Sequence, residues 1–110
     1  MNWENAIKTV LMLLAMTLSL LSYAETVWVD VRSSAEHLVD NIKGDIRISH
    51  TGIVLEANKQ IPDKSTEIRL YCRSGGRAGI AMSALKKAGY TNVSNAGGIN
   101  DARNERGMIQ

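Results

Sequence analysis

Glu67-Ile68-Arg69-Leu70-Tyr71-Cys72-Arg73-Ser74-Gly75-Gly76-Arg77-Ala78-Gly79-Ile80-Ala81 passes from an apolar strand-forming run, through a short loop, into a helical repeat. The only cysteine of the chain opens that loop. The strand Glu67–Tyr71 delivers the sulfur to a turn whose glycines let backbone N–H groups converge, and the helix that follows adds the positive end of its dipole. Arg73 and Arg77 add full charge. These surroundings favour the thiolate: a fall of about 1.5 units from ~8.5 would leave the thiol about half ionised near neutral pH. A cysteine kept for packing alone needs none of these neighbours. The sulfur is therefore expected to be ionised and reachable, a placement that suits a nucleophile.

Outward from the loop, strands alternate with helices. Val27–Val31 reads as a buried strand of branched and aromatic residues. Ser33-Ser34-Ala35-Glu36 matches a capping box, and Leu38, Val39 and Ile42 would supply the apolar face of the helix it starts. Asp45–Ile48 is a short second strand, Ile53–Lys59 a weakly amphipathic helix, and Pro62-Asp63-Lys64 a turn. Gly76–Ala88 is the clearest helix, with Ile80, Ala81, Ala84, Leu85 and Ala88 at helical spacing, Lys86 and Lys87 in the last turn and Gly89 beyond. Thr91–Ser94 is a last short strand, Asn95-Ala96-Gly97-Gly98 a tight turn, and the polar tail has no clear structure. This order predicts an α/β fold: a mostly parallel central sheet with helices on both faces, in three layers. Sites in such sheets collect beyond the carboxyl ends of the strands, where Cys72 falls.

The first residues are expected to lie outside the fold. Val10–Leu21 is an unbroken run of apolar and small residues after Lys8, and Ser22-Tyr23-Ala24 is a small-x-small pattern that signal peptidases accept. Cleavage after Ala24 would leave 25–110 as one small domain, exported to the periplasm without stable membrane insertion. The whole chain of 110 residues carries a net charge of +2. Glu4 and Lys8 offset each other, so processing leaves that charge unchanged. Its acids and bases alternate, and Trp28, Tyr71 and Tyr90 are the only aromatics past residue 24. No nucleic-acid partner is indicated. A lone cysteine forms no internal disulfide, and His37 and His50 lack ligand spacing to it, so neither a metal nor a cofactor is expected. Both histidines read as surface or loop residues.

Trp28-Val29-Asp30-Val31-Arg32 followed by Glu36, Leu70–Arg77, Ala88-Gly89-Tyr90-Thr91-Asn92-Val93 and Asn95–Gly98 together resemble a single-domain rhodanese, a thiosulfate sulfurtransferase. The likeness spans about Val27 to Ala102 and is nearest to the exported phage-shock-protein-E type. Asp40-Asn41-Ile42-Lys43-Gly44-Asp45 departs from the Gly-His-Ile-Pro-Gly-Ala of many relatives, which weakens the second strand and leaves the chemistry untouched. The resemblance implies a rhodanese-like fold and a double displacement. Cys72 would take sulfur from a small anionic donor such as thiosulfate, hold it as a persulfide, and pass it to cyanide, a thiol or a sulfur-accepting protein. Arg73, Ser74, Gly75, Gly76 and Arg77 would bind substrate, their amides cradling anions. Asp30, Arg32 and Glu36 would form a supporting ion-pair network.

Two other readings compete. Cysteine-dependent phosphatases and arsenate reductases place five residues between cysteine and arginine. Here four separate Cys72 from Arg77, a tighter ring that suits one sulfur atom better than a phosphoryl group. A non-catalytic persulfide carrier would use the same loop, and turnover separates it from an enzyme.

Overall fold

The computed structural model describes residues 2–8 and 25–109. The apolar run Val10–Leu21 and Ala24 lie outside them. Among the described residues no helix is long and apolar enough to cross a membrane. After a helical stretch at 3–8 come β1 (Val27–Asp30), α1 (Ser34–Val39), β2 (Ile46–Arg47), a 3₁₀ turn (His50–Gly52), α2 (Ile53–Gln60), β3 (Ile68–Cys72), α3 (Gly76–Lys87), β4 (Val93–Gly98) and α4 (Ile99–Glu105).

The strands form one sheet in the order β2-β1-β3-β4, with every pairing parallel. Parallel neighbours need a crossover between them, and the helices supply it. Alternate residues of β3 serve opposite faces. Ile68, Leu70 and Cys72 join Val29 and Val31 in the larger core, roofed by Ile53 and Ala57 of α2 and Ala81 and Leu85 of α3. Tyr71 goes the other way, with Trp28, into a smaller cluster closed by Ile42 and by Ile99 and Ala102 of α4. The expected three layers are present.

Three local expectations are corrected. Leu38 and Val39 do not form a buried face: they are 84 % and 88 % exposed, whereas Ile42, beyond the helix end, is buried. The helix has only six residues and is held by polar contacts instead. Its capping box forms as expected, with the Glu36 N–H donating to Ser33 Oγ and the Ser33 N–H to Glu36 Oε1. Along α3, Ile80 likewise faces solvent.

The second correction concerns Asn95–Gly98, which extend β4 and form no turn. Leu70 pairs with Asn95 but Tyr71 pairs with Gly97, so Ala96 is an inserted bulge residue. Gly97 takes φ +93°, a conformation open to glycine at little cost.

The third is the tail, whose residues 99–105 are helical. Its two buried residues, Ile99 and Ala102, are too few to show a helical period. Arginine–carboxylate pairs dock it: Arg69 with Glu105, Arg103 with Asp40, and Arg106, just past the helix, with Asp45.

Candidate active site

Helix α3 starts without a side-chain cap, because its N-cap is Gly75, at φ +104°. Its first intrahelical bond runs from the Gly79 N–H to the Gly75 carbonyl. The N–H groups before it need another acceptor. The Cys72 sulfur takes that role from the end of β3: the Gly75 N–H donates to Sγ at 2.9 Å. Burial opposes ionisation of the thiol, but the N–H groups of Ala78, Ser74, Gly75 and Arg77 outweigh it and hold the thiol below its ordinary range. Ala78 lies outside the expected cradle of residues 73–77. An orphan amide of the helix's first turn explains its part.

Arg77 is fixed by both oxygens of Glu36, at 2.6 and 2.9 Å. The Glu36 contact raises the guanidinium's hold on its proton, and Cys72 adds to the effect. In return, Arg77 lowers the Glu36 carboxyl to about 2, with Ser33 contributing. Glu36 therefore joins the α1 cap to the start of the helix that follows the Cys72 loop. Arg73 is placed differently: its side chain is exposed and makes no hydrogen bond or ion pair among the described residues. Ser74 is also exposed.

Asp30 and Arg32 form a buried pair, with Arg32 Nε and Nη2 donating to the carboxylate at 3.0 and 2.8 Å. Burial would raise the Asp30 carboxyl, yet bonds from Arg32 and His37 hold it below the usual range. His37 is thus no plain surface residue, since its Nδ1 lies 2.9 Å from Asp30 Oδ2. Only its position one turn into α1 hinted at this. Asp30 and Arg32 fix the segment that leads into α1, and through α1 they fix Glu36.

Beneath the loop, the Asn95 amide donates to the Gly75 carbonyl at 2.9 Å, and the Gly97 N–H donates to Asn95 Oδ1 at 2.8 Å. A Cβ on Gly98 would run into the Arg73 carbonyl, so only glycine lets β4 pass this close. Asn95 and Asp101, which accepts the Gly98 N–H, were not among the expected site residues. The β4 bulge puts them there.

The expectation of a reachable sulfur needs correction. Cys72 is 1 % exposed. The amides that stabilise the thiolate also enclose it.

The sequence pattern of the Rhodanese-like domain matches residues 16–105. The chain belongs to the rhodanese family. It is 34 % identical over 91 residues to thiosulfate sulfurtransferase PspE of Escherichia coli strain K12, a match covering 83 % of this chain and 88 % of that one. A solved rhodanese with anions from E. coli superposes with TM-score 0.67 at 32 % identity, covering 70 % of this chain and 91 % of that one. A rhodanese-like domain from Anabaena sp. gives TM-score 0.67 at 25 % identity, covering 86 % and 90 %. The rhodanese resemblance read from the Trp28–Arg32 and Leu70–Arg77 segments therefore holds for the fold as a whole.

Proposed function

We propose that this rhodanese is a thiosulfate sulfurtransferase that works through a persulfide on Cys72. The sulfurtransferase class follows from family membership and from the likeness to PspE. The observation that carries the finer reading is the ring of helix-terminal amides around Sγ, with Arg77 beside it under the grip of Glu36. The Cys72 thiolate attacks the outer sulfur of thiosulfate. A new S–S bond forms, the bond to the sulfonate sulfur breaks, and its electron pair leaves with sulfite. The enzyme then holds Cys72–S–S⁻. A cyanide or thiolate acceptor takes the outer sulfur, and the electron pair returns to Sγ.

The charge is anionic throughout. The amides of Ser74, Gly75, Arg77 and Ala78 face the sulfur at each stage without rearrangement, which is the condition for electrostatic stabilisation to act on rate. Arg73 and the exposed part of the loop, Ser74 and Gly76, meet the donor's sulfonate, while Asp30, Arg32 and Glu36 hold the frame. Near-complete burial favours a donor that presents one protruding atom, as thiosulfate does. A solved relative is described as a rhodanese with anions, which agrees with the anion binding proposed for this chain.

Mass spectrometry after thiosulfate treatment tests the reading. The expected adduct is about 32 Da, on Cys72 only and absent from Cys72→Ala. No adduct, or one that survives the substitution, rejects it. Repeated turnover with thiosulfate and cyanide marks an enzyme, and a single labelling that then stalls marks a carrier. We further infer export to the periplasm with cleavage after Ala24, supported by the Val10–Leu21 run and the Ser22-Tyr23-Ala24 pattern. A periplasmic product whose intact mass starts at Glu25 is the expected result.

A further inference from the structure

Beside the reactive loop, α1 and the start of α4 enclose an open groove of about 590 Å³. That is within the range of sites for organic molecules, and far larger than an inorganic sulfur oxyanion requires. Four charged side chains line it: Arg32, Glu36, Asp40 and Arg73. Three are committed, Arg32 to Asp30, Glu36 to Arg77 and Asp40 to Arg103. Arg73 is the one arginine among the described residues whose guanidinium has no hydrogen-bond or ion-pair partner. The groove thus presents a single unneutralised positive charge, on the residue next to Cys72. Its other walls are apolar or neutral: Ala35 and Val39 from α1, Ile99 and Asn100 from α4. Val39 is 88 % exposed and, among the described residues, belongs to neither core cluster.

We propose that this groove is the acceptor site and that it selects an organic thiol bearing a carboxylate. The inference rests on the persulfide reading above. The apolar body of the acceptor lies on Val39 and Ile99, its carboxylate meets the Arg73 fork, and its sulfur is directed at the loop. The acceptor thiolate attacks the outer sulfur of Cys72–S–S⁻. A bond forms between the two, the bond to Sγ breaks, and Cys72 regains its electron pair as thiolate while the product leaves as an organic persulfide. No oxidant or reductant is needed.

The test uses the purified protein loaded with thiosulfate, freed of excess donor and checked by mass for the Cys72 persulfide. Unloading is then timed with N-acetylcysteine and with its neutral amide, at equal thiolate concentration. The carboxylate form should react about tenfold faster, as expected for one charge-assisted contact. In Arg73→Gln that preference should fall to about one. In Val39→Asp, which puts a negative charge on the apolar wall, it should fall below one. Equal rates for the two thiols in the unmodified protein, or a preference that survives both substitutions, overturns the acceptor site. So does an Arg73→Gln variant that slows loading by thiosulfate while keeping the preference, since Arg73 would then serve the donor alone. Failure of the initial loading rejects the persulfide reading itself, and the mass measured before any thiol is added tells that outcome apart.

Discussion

Two arginine–carboxylate pairs of this fold share their chemistry and differ in what surrounds them. Glu36–Arg77 stands beside Cys72, with side chains 32 % and 30 % exposed. Asp45–Arg106 lies beside the smaller core cluster, with side chains 5 % and 20 % exposed, and Asp45 also accepts the hydroxyl of buried Tyr71 at 2.7 Å. Arg106 in addition lies over the Trp28 ring, 4.3 Å from its centroid. Both pairs are bidentate. The half-exposed pair can contribute little to folding, because water competes for each charge, but it holds a cation in the helix start beside the Cys72 sulfur. The enclosed pair ties the end of α4 to the start of β2. Burial therefore decides how much the same bond can add to the fold, and under the proposed mechanism the exposed pair is the one left to act on the sulfur.

The comparison breaks most visibly at the sulfur itself. Cys72→Ala should lower sulfurtransferase turnover at least about a thousandfold, as loss of a nucleophile does elsewhere. Its thermal unfolding should stay close to that of the parent protein; a variant that retains turnover would move the chemistry away from this loop.

Asp45→Ala tests the enclosed pair. It leaves the Tyr71 hydroxyl and the Arg106 guanidinium without their shared acceptor, and it should cost about 3 kcal/mol in denaturant unfolding. Turnover of the still-folded fraction should persist, because Asp45 precedes the amino end of β2 whereas Cys72 closes the carboxyl end of β3 in the same parallel sheet.

Arg77→Gln should show the reverse pattern. About a hundredfold loss of kcat/KM for thiosulfate is expected, comparable with removal of one anion-stabilising donor, against less than about 1 kcal/mol in stability. The variant also removes a positive charge and leaves the Glu36 carboxylate near the sulfur. The thiol pKa should rise, and the ascending limb of the pH–rate profile should move to higher pH. In the parent protein that limb should lie below the ~8.5 of a free thiol. If Arg77→Gln lost stability and kept its rate, the two pairs would be doing the same job.

Smaller still is the acid response of Glu36. Its folded-state value of about 2 lies below its ordinary 4.5, so its stabilising contribution is complete above pH 4.5 and fades as pH falls from there toward 2. Glu36→Gln should therefore remove part of the stability loss over that interval, measured as the melting temperature against pH.

The sequence alone carried the elements whose signals are local. The strand–loop–helix of Ile68–Lys87 is written in a β-type run, two glycines and a 3.6-residue repeat, and the Ser33–Glu36 box is complete within four residues. The Arg77–Glu36 pair was not legible, because its members are 41 positions apart and meet only after β1 and β3 pair. The α4 helix escaped for a related reason. Its docking is ionic, through Arg69, Asp40 and Asp45 on distant segments, so its own residues read as a solvated tail. Leu38 and Val39 misled in the opposite sense, as apolar residues that the fold leaves outside.

Composition and short-range pattern thus determined that this chain makes a parallel sheet with a cysteine loop at the carboxyl end of a central strand, because strand, turn and helix preferences act over a few residues. Which amides face the sulfur, how deeply it is enclosed and which arginine is left without a partner among the described residues were decided by tertiary structure. Enclosure, charge pairing and the β4 bulge beneath the loop depend on segments that become neighbours only when the sheet closes.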